Sequence, residues 1–166
     1  MSPTINIGEV PLEGFKDVIE LMFKSCEEYQ GVGLTANQVG LIFSIFVMNF
    51  KEKGVLFSGV FINPEIVSHS DETLVAPEMC LSLPSVKVNK ERWKTINARW
   101  KDAAGVVHEE EMIGMKAVIF QHEFDHCCGK TILSSLPAIK QRMVVEKMKK
   151  KLNLLIKSYI KRDLQA

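Results

Sequence analysis

Apolar positions change their period along this chain, and the changes mark out its elements. From Phe15 to Tyr29, residues Phe15, Val18, Ile19, Met22, Phe23 and Cys26 recur at three- and four-residue steps, the spacing of one helix face. Cys26 sits on that stripe and is expected in the core. Leu41 to Phe50 is continuously apolar and rich in Phe, Ile and Val, as a buried strand is, and Lys51 to Gly54 reads as a turn. Val55 to Ile62 predicts the next strand, closed by Asn63-Pro64, with shorter extended pieces at Glu65 to His69 and Thr73 to Val75. Lys94 to Trp100 alternates, and Asp102 to Gly105 predicts a hairpin turn into Val106 to Glu111. Ile113 to Cys128 predicts a helix that is apolar on most faces and hence buried, with Gly129 just past its end. Pro137 fits the first turn of a last helix, whose Ile139, Met143, Val144, Met148, Leu152 and Leu155 oppose a Lys/Arg face.

Between these elements the signals are weaker. Ile5 to Leu12 reads as an extended entry. Gly31 to Gly40, with glycines at 31 and 33, reads either as a helix-to-strand turn with a Gly cap or as backbone that lets a ligand come close. The prolines of Pro77 to Pro84 argue against a helix there and place Cys80 in a loop. His69 and His108 are expected at the surface, and Trp93 and Trp100 in packing. Strands before and after one buried helix, without strict alternation, give an α+β fold.

Composition narrows the class. The 166 residues fit one domain with a core, at 46% apolar and 25% charged. No apolar run is long enough to span a membrane, and Met1 to Glu9 lacks the pattern of a secretory signal. Cys26, Cys80, Cys127 and Cys128 have no disulfide-scaffold spacing, which points to a reducing compartment such as a cytoplasm. The net charge of +1 is unevenly placed. Lys140 to Ala166 holds nine Lys/Arg against two Asp/Glu, a net of +7, and leaves −6 for the rest. A basic tail of this kind fits a polyanionic partner or a merely solvated helix face.

The chemistry concentrates in Gln121-His122-Glu123-Phe124-Asp125-His126. Residues four apart share a helix face, so His122 and His126 can hold one metal ion, with Glu123 beside them to move the protons of a water. Two hydrogen-bonded core histidines are the plainer account, but buried His and Glu with nothing to bind are costly. A catalytic tetrahedral site needs a third protein ligand. Glu146 is the only Glu downstream and no His follows, so the ligand should come from upstream, where a thiolate would serve. Cys127 and Cys128 turn away from the His face and are expected in packing, whereas Cys80 is free to approach.

At this point the chain resembles the peptide deformylases. Gly31 to Gln38 (GVGLTANQ) is similar to that family's GxGLAAxQ, Glu78 to Ser82 (EMCLS) to its EGCLS, and Gln121 to His126 (QHEFDH) to its QHExDH. The order is right and the likeness spans most of the chain. The resemblance implies a mixed sheet wrapped around the metal-bearing helix and a metal set of Cys80, His122 and His126. Ferrous iron is the implied ion, with zinc, nickel or cobalt able to substitute. The implied reaction removes the N-formyl group from the formylmethionine that begins a nascent polypeptide. Glu123 is then general base and acid, and the Gln38 amide and the Leu81 backbone N–H donate to the developing oxyanion. Val32, Met115, Val118 and Ile119 are expected to line the pocket for the Met side chain, and Gly33 to pair with the extended peptide.

The chain departs from the pattern at several points. Met79 replaces a Gly and would be strained if positive φ were needed there. Thr35 in place of Ala is read as modest, Cys127 stands where Leu is usual, and Arg92 is expected to pair with Glu78. The chain is expected to start after an N-terminal strand that many members carry, as a compact or phage-like member does. The basic tail is expected to dock on ribosomal RNA. Other readings of the same residues are a related metal amidase or peptidase, a non-catalytic ribosome-binding descendant, and a Cys80 nucleophile with a His base.

Overall fold

The apolar run of the second strand is explained by what lies on either side of it. In a computed structural model, which describes residues 2–8 and 12–163, three α-helices and seven strands form an α+β fold. Strands β1 (Gly33–Thr35), β2 (Ile45–Glu52), β3 (Val55–His69), β6 (Thr95–Lys101) and β7 (Val107–Ile113) make one antiparallel sheet in the order β1-β2-β3-β6-β7. Strands β4 (Thr73–Cys80) and β5 (Leu83–Trp93) form a separate antiparallel ribbon. Ile45 and Val47 of β2 face helix α1 (Lys16–Glu28), packing with Ile19, Met22 and Cys26. Phe46, Met48 and Phe50 face the other way, onto Ala117, Ile119 and Phe120 of helix α2 (Gly114–Cys127). A strand covered on both faces has no polar side to show, so its alternation vanishes.

Several boundaries differ from the sequence reading, each for a local reason. The second strand begins at Ile45, because Phe43 and Ser44 first bridge to Ile5. Asn63-Pro64 does not end β3. Asn63 adopts φ +48° at a register shift, and its side chain closes two 2.8 Å hydrogen bonds with the backbone of Ile7. The left-handed residue after α1 is Gln30 (φ +55°), not a glycine. The segment around Pro77 and Cys80 is a strand, with Pro77 exposed on a two-stranded ribbon where its missing N–H breaks little. Burial in β4 alternates, with Ala76, Glu78 and Cys80 inward and Val75, Pro77 and Met79 outward. Met79 therefore points to solvent, and its φ is not positive, so the expected strain is absent.

Helix α2 ends as the sequence indicated, with Gly129 at φ +73°. The carbonyls at its end are taken by other segments: Asn37 Nδ2 donates to His126 O (2.5 Å) and Thr4 N–H to Cys127 O (2.8 Å). Helix α3 (Ala138–Asp163) starts after Pro137, and its predicted stripe is divided. Val144 and Met148 are half-buried, Met148 beside Leu83 and Pro84 of the ribbon, while Ile139 and Met143 are exposed. The side chains of Leu152 and Leu155, and residues 9–11 of the expected entry segment, lie outside the described residues. His108 is half-buried against Trp100, and His69 is exposed but stacked on Trp93.

Candidate metal centre

Three elements meet at the site. Helix α2 contributes His122, Glu123 and His126, the end of β4 contributes Cys80, and the short strand β1 crosses close to α2. The ligand atoms of Cys80, His122 and His126 all lie within 4.8 Å of one another. Cys80 Sγ is 3.2 Å from His126 Nε2, which is 3.2 Å from His122 Nε2. For a tetrahedral ion with bonds of about 2.0–2.1 Å, two nitrogens sit about 3.4 Å apart.

The outer nitrogens decide what the inner ones can do. His122 Nδ1 lies 2.9 Å from Glu78 Oε2, and His126 Nδ1 lies 3.0 Å from the Lys130 carbonyl. A carboxylate and a carbonyl only accept, so both Nδ1 atoms carry protons. In neutral rings both Nε2 atoms then present lone pairs to each other and to the sulfur. A cation among the three atoms satisfies all of them at once, and the residues fit a divalent metal. Burial disfavours charge on His122, but its hydrogen bonds to Cys80 and Glu78 prevail and raise its pKa to about 10. Burial likewise pushes the Cys80 thiol up, yet His122 and His126 bring it down to about 6.

Behind His122 runs a chain of alternating charge. Arg92 grips Glu78 through Nε (2.6 Å) and Nη2 (2.9 Å) and reaches Asp125 Oδ2 through Nη1 (2.6 Å). Lys90 Nζ also donates to Asp125 Oδ2 (2.5 Å). Burial would raise the Glu78 pKa, but the hydrogen bonds from His122 and Arg92 hold it at about 2. The Glu78–Arg92 pair was expected; Asp125 and Lys90 were not assigned roles. Asp125 belongs to the motif and lies three residues from His122, which is the signal that would have drawn attention to it. Gln121, also unassigned, donates to Trp93 O and accepts from Trp93 N–H, tying α2 to the end of β5.

The remaining expected residues fall in different places. Gln38 Oε1 accepts from the Thr35 N–H (2.7 Å), which turns Nε2 towards Cys80 Sγ (3.6 Å) and Ser82 Oγ (3.1 Å). The Leu81 N–H, in the turn after Cys80, donates to nothing among the described residues. Val118 is buried, one turn before His122, and Met115 and Val32 are exposed. Ile119 belongs to the core with Phe46 and Phe120, so core packing accounts for it. Cys127 is buried in that same core, but Cys128 is exposed, because the helix has ended and the chain is turning away. Thr35 is more than a modest change. Its hydroxyl lies 2.7 Å from Glu123 Oε2, with both residues buried.

The polypeptide deformylase family model matches residues 2–142. The chain belongs to that family. It is 34% identical to a peptide deformylase of Novosphingobium aromaticivorans over 89% of this chain and 92% of that one. With the Thermotoga maritima peptide deformylase it shares 40% identity, over 82% and 80% of the two chains. The crystal structure of peptide deformylase from Ehrlichia chaffeensis superposes with a TM-score of 0.88 at 29% identity, covering 93% of this chain and 92% of that one. The same protein in complex with actinonin gives 0.84 at 32% identity, covering 90% of each. All three motif segments lie within the matched residues, and most of α3 lies beyond them.

Proposed function

We propose that the protein hydrolyses the N-formyl group from the N-terminal formylmethionine of nascent polypeptides, at a divalent metal held by Cys80, His122 and His126. The observation that carries this is the pair of facing Nε2 atoms, 3.2 Å apart and beside a thiol, with Glu123 next in the helix. We assign ferrous iron as the ion from the resemblance of the three motif segments; zinc, nickel or cobalt would fit the same donors. A bound ion supplies Lewis acidity and lowers the pKa of water so that hydroxide forms near neutral pH.

The residues divide the remaining work. Glu123, only 3% exposed, accepts the attacking water's proton and returns it to the departing amine. The Gln38 amide, directed towards Cys80 Sγ and Ser82 Oγ, and the Leu81 N–H, with no acceptor among the described residues, stabilise the negative charge that grows on the formyl oxygen. Strand β1 lies at the edge of the sheet, so Gly33 has a free side on which an extended peptide can add as a further strand. Val118, with Val32 and Met115 at the mouth, forms the apolar surface for the Met side chain.

The setting proposed is a cytoplasm or organelle in which translation begins with formylmethionine. No described helix is long and apolar enough to cross a membrane. The basic α3 is proposed to dock on ribosomal RNA, where its exposed Lys149 and Lys150 would release counterions. The test is hydrolysis of formyl-Met-Ala-Ser together with metal analysis, on protein prepared without oxygen. One equivalent of metal and formate release support the reading. Metal-loaded protein that releases no formate, or that prefers other acylated peptides, overturns it.

A further inference from the structure

We propose that Thr35 is a positioning residue for Glu123: its hydroxyl holds one carboxylate oxygen and leaves the other to handle the proton. This rests on the reading of Glu123 as the proton carrier.

Thr35 is fully buried in the three-residue strand β1, so its hydroxyl must find a partner within the protein. Oγ1 lies 2.7 Å from Glu123 Oε2 and 3.2 Å from the Glu123 carbonyl. The hydroxyl has one proton to give, and the shorter, charge-assisted bond takes it. Among the described residues no protein group donates to Glu123 Oε1. Gly33, two residues earlier on the same face of β1, makes room for that oxygen. A Cβ on Gly33 would lie 2.5 Å from Oε1 and 2.8 Å from Cδ. The carboxylate is thus placed from one strand by two opposite means: a donor at residue 35 and a missing side chain at residue 33. A glutamate side chain has three torsions to fix, and a general base works only when its oxygen is held within reach of the proton.

The same residue also orients Gln38: its backbone N–H donates to Gln38 Oε1, which any substituent keeps, and its side chain caps the Gln38 backbone N–H, which Thr35→Ser keeps and Thr35→Val loses. The Glu123→Gln background separates these two effects of Thr35→Val, because only the loss at Glu123 vanishes there.

The test compares Thr35→Val, which keeps the volume and loses the donor, with Thr35→Ser, which keeps the donor. A hydrogen bond to a charged group is worth roughly 10- to 100-fold. In metal-loaded protein with unchanged metal content, Thr35→Val should lower kcat about 10-fold or more with KM within about 2-fold, and Thr35→Ser should stay within about 3-fold of the parent. Added to Glu123→Gln, Thr35→Val should change kcat by less than about 2-fold. In zinc-loaded protein, the Glu123 carboxylate carbon resonance, assigned by its loss in Glu123→Gln, should move in Thr35→Val and stay in Thr35→Ser. If Thr35→Val does not fold, Thr35→Ala replaces it against the same Ser control. Parent-like kcat for Thr35→Val, or an equal fall for Thr35→Ser, overturns the inference while leaving Glu123 in place. A near-parent Glu123→Gln overturns the reading of Glu123 itself, and the role of Thr35 with it.

Discussion

Helices α2 and α3 are both rich in apolar residues yet occupy opposite environments, and the difference lies in which faces are apolar and in how their polar groups are answered. In α2, Gln121, Glu123 and His126 are buried, and each has a partner on another segment: Trp93, Thr35 and Lys130. In α3 no described residue is buried, and Ile139, Met143 and Leu154 lie open to solvent. Its described polar contacts beyond its own turns are few, among them Lys151 with Ser85 (2.9 Å). Helix α2 is apolar on most faces and its few buried polar groups are answered by other segments, whereas α3 carries a Lys/Arg face that keeps it at the surface.

The largest expected effect breaks α2 at its chemistry. Glu123→Gln should keep the metal and lose about 10²–10⁴ in kcat, since the amide cannot take a proton. Activity within a few-fold of the parent would remove Glu123 from the reaction. Cys80→Ser should lose bound metal on dialysis, while Cys127→Ser and Cys128→Ser keep full stoichiometry. Equal loss in all three would leave the choice of thiolate without support.

Packing gives the next contrast. Phe120 is fully buried between Phe46 and Phe61 in the core, so Phe120→Ala should cost about 3–5 kcal/mol in urea unfolding. Exposed Met143→Ala should stay within about 0.5 kcal/mol. Thiol chemistry sharpens the boundary where α2 stops. Burial pushes the Cys26 and Cys127 thiols up to about 11, so the reactive thiolate is scarce at neutral pH and grows only as pH nears that value. Iodoacetamide at pH 7.5, followed by peptide mass spectrometry, should label exposed Cys128 well before either. The smallest effect belongs to α3. Reversing Lys149 and Lys150 to Glu should leave formyl-peptide hydrolysis unchanged and reduce co-sedimentation with ribosomes, more so as salt rises. Unchanged co-sedimentation would leave the docking reading without support.

The same contrast explains what could be read from the chain. The period of α1 and α2, the turn at Asp102 to Gly105 and the two-histidine spacing are local patterns, and local patterns survive in one dimension. The β3 bulge at Asn63 was hidden because Asn-Pro ordinarily stops a strand, and only the Ile7 backbone makes its left-handed turn useful. Cys80 looked like a loop residue because the flanking prolines argued against a helix, but each strand of a two-stranded ribbon has an open edge that tolerates Pro77. Thr35 for Ala looked small because an added hydroxyl and methyl say nothing about a carboxylate 88 residues away. Lys90 carried no signal at all, being one lysine among many until β5 brings it to Asp125.

That separation also has a meaning in time. The hydroxyl of Thr35 meets its carboxylate across 88 residues, and Cys80 meets His126 across 46. At about 5–20 residues per second of synthesis, the first of those gaps takes roughly 4–18 s to cover. During that interval β1 and the Cys80 hairpin can exist, but the helix that gives them purpose has not been made. A protein that serves emerging chains is itself, while emerging, without the centre it would use on them. Its site assembles as the last of its distant pieces arrives, and nearly all of the matched family region must then already be out.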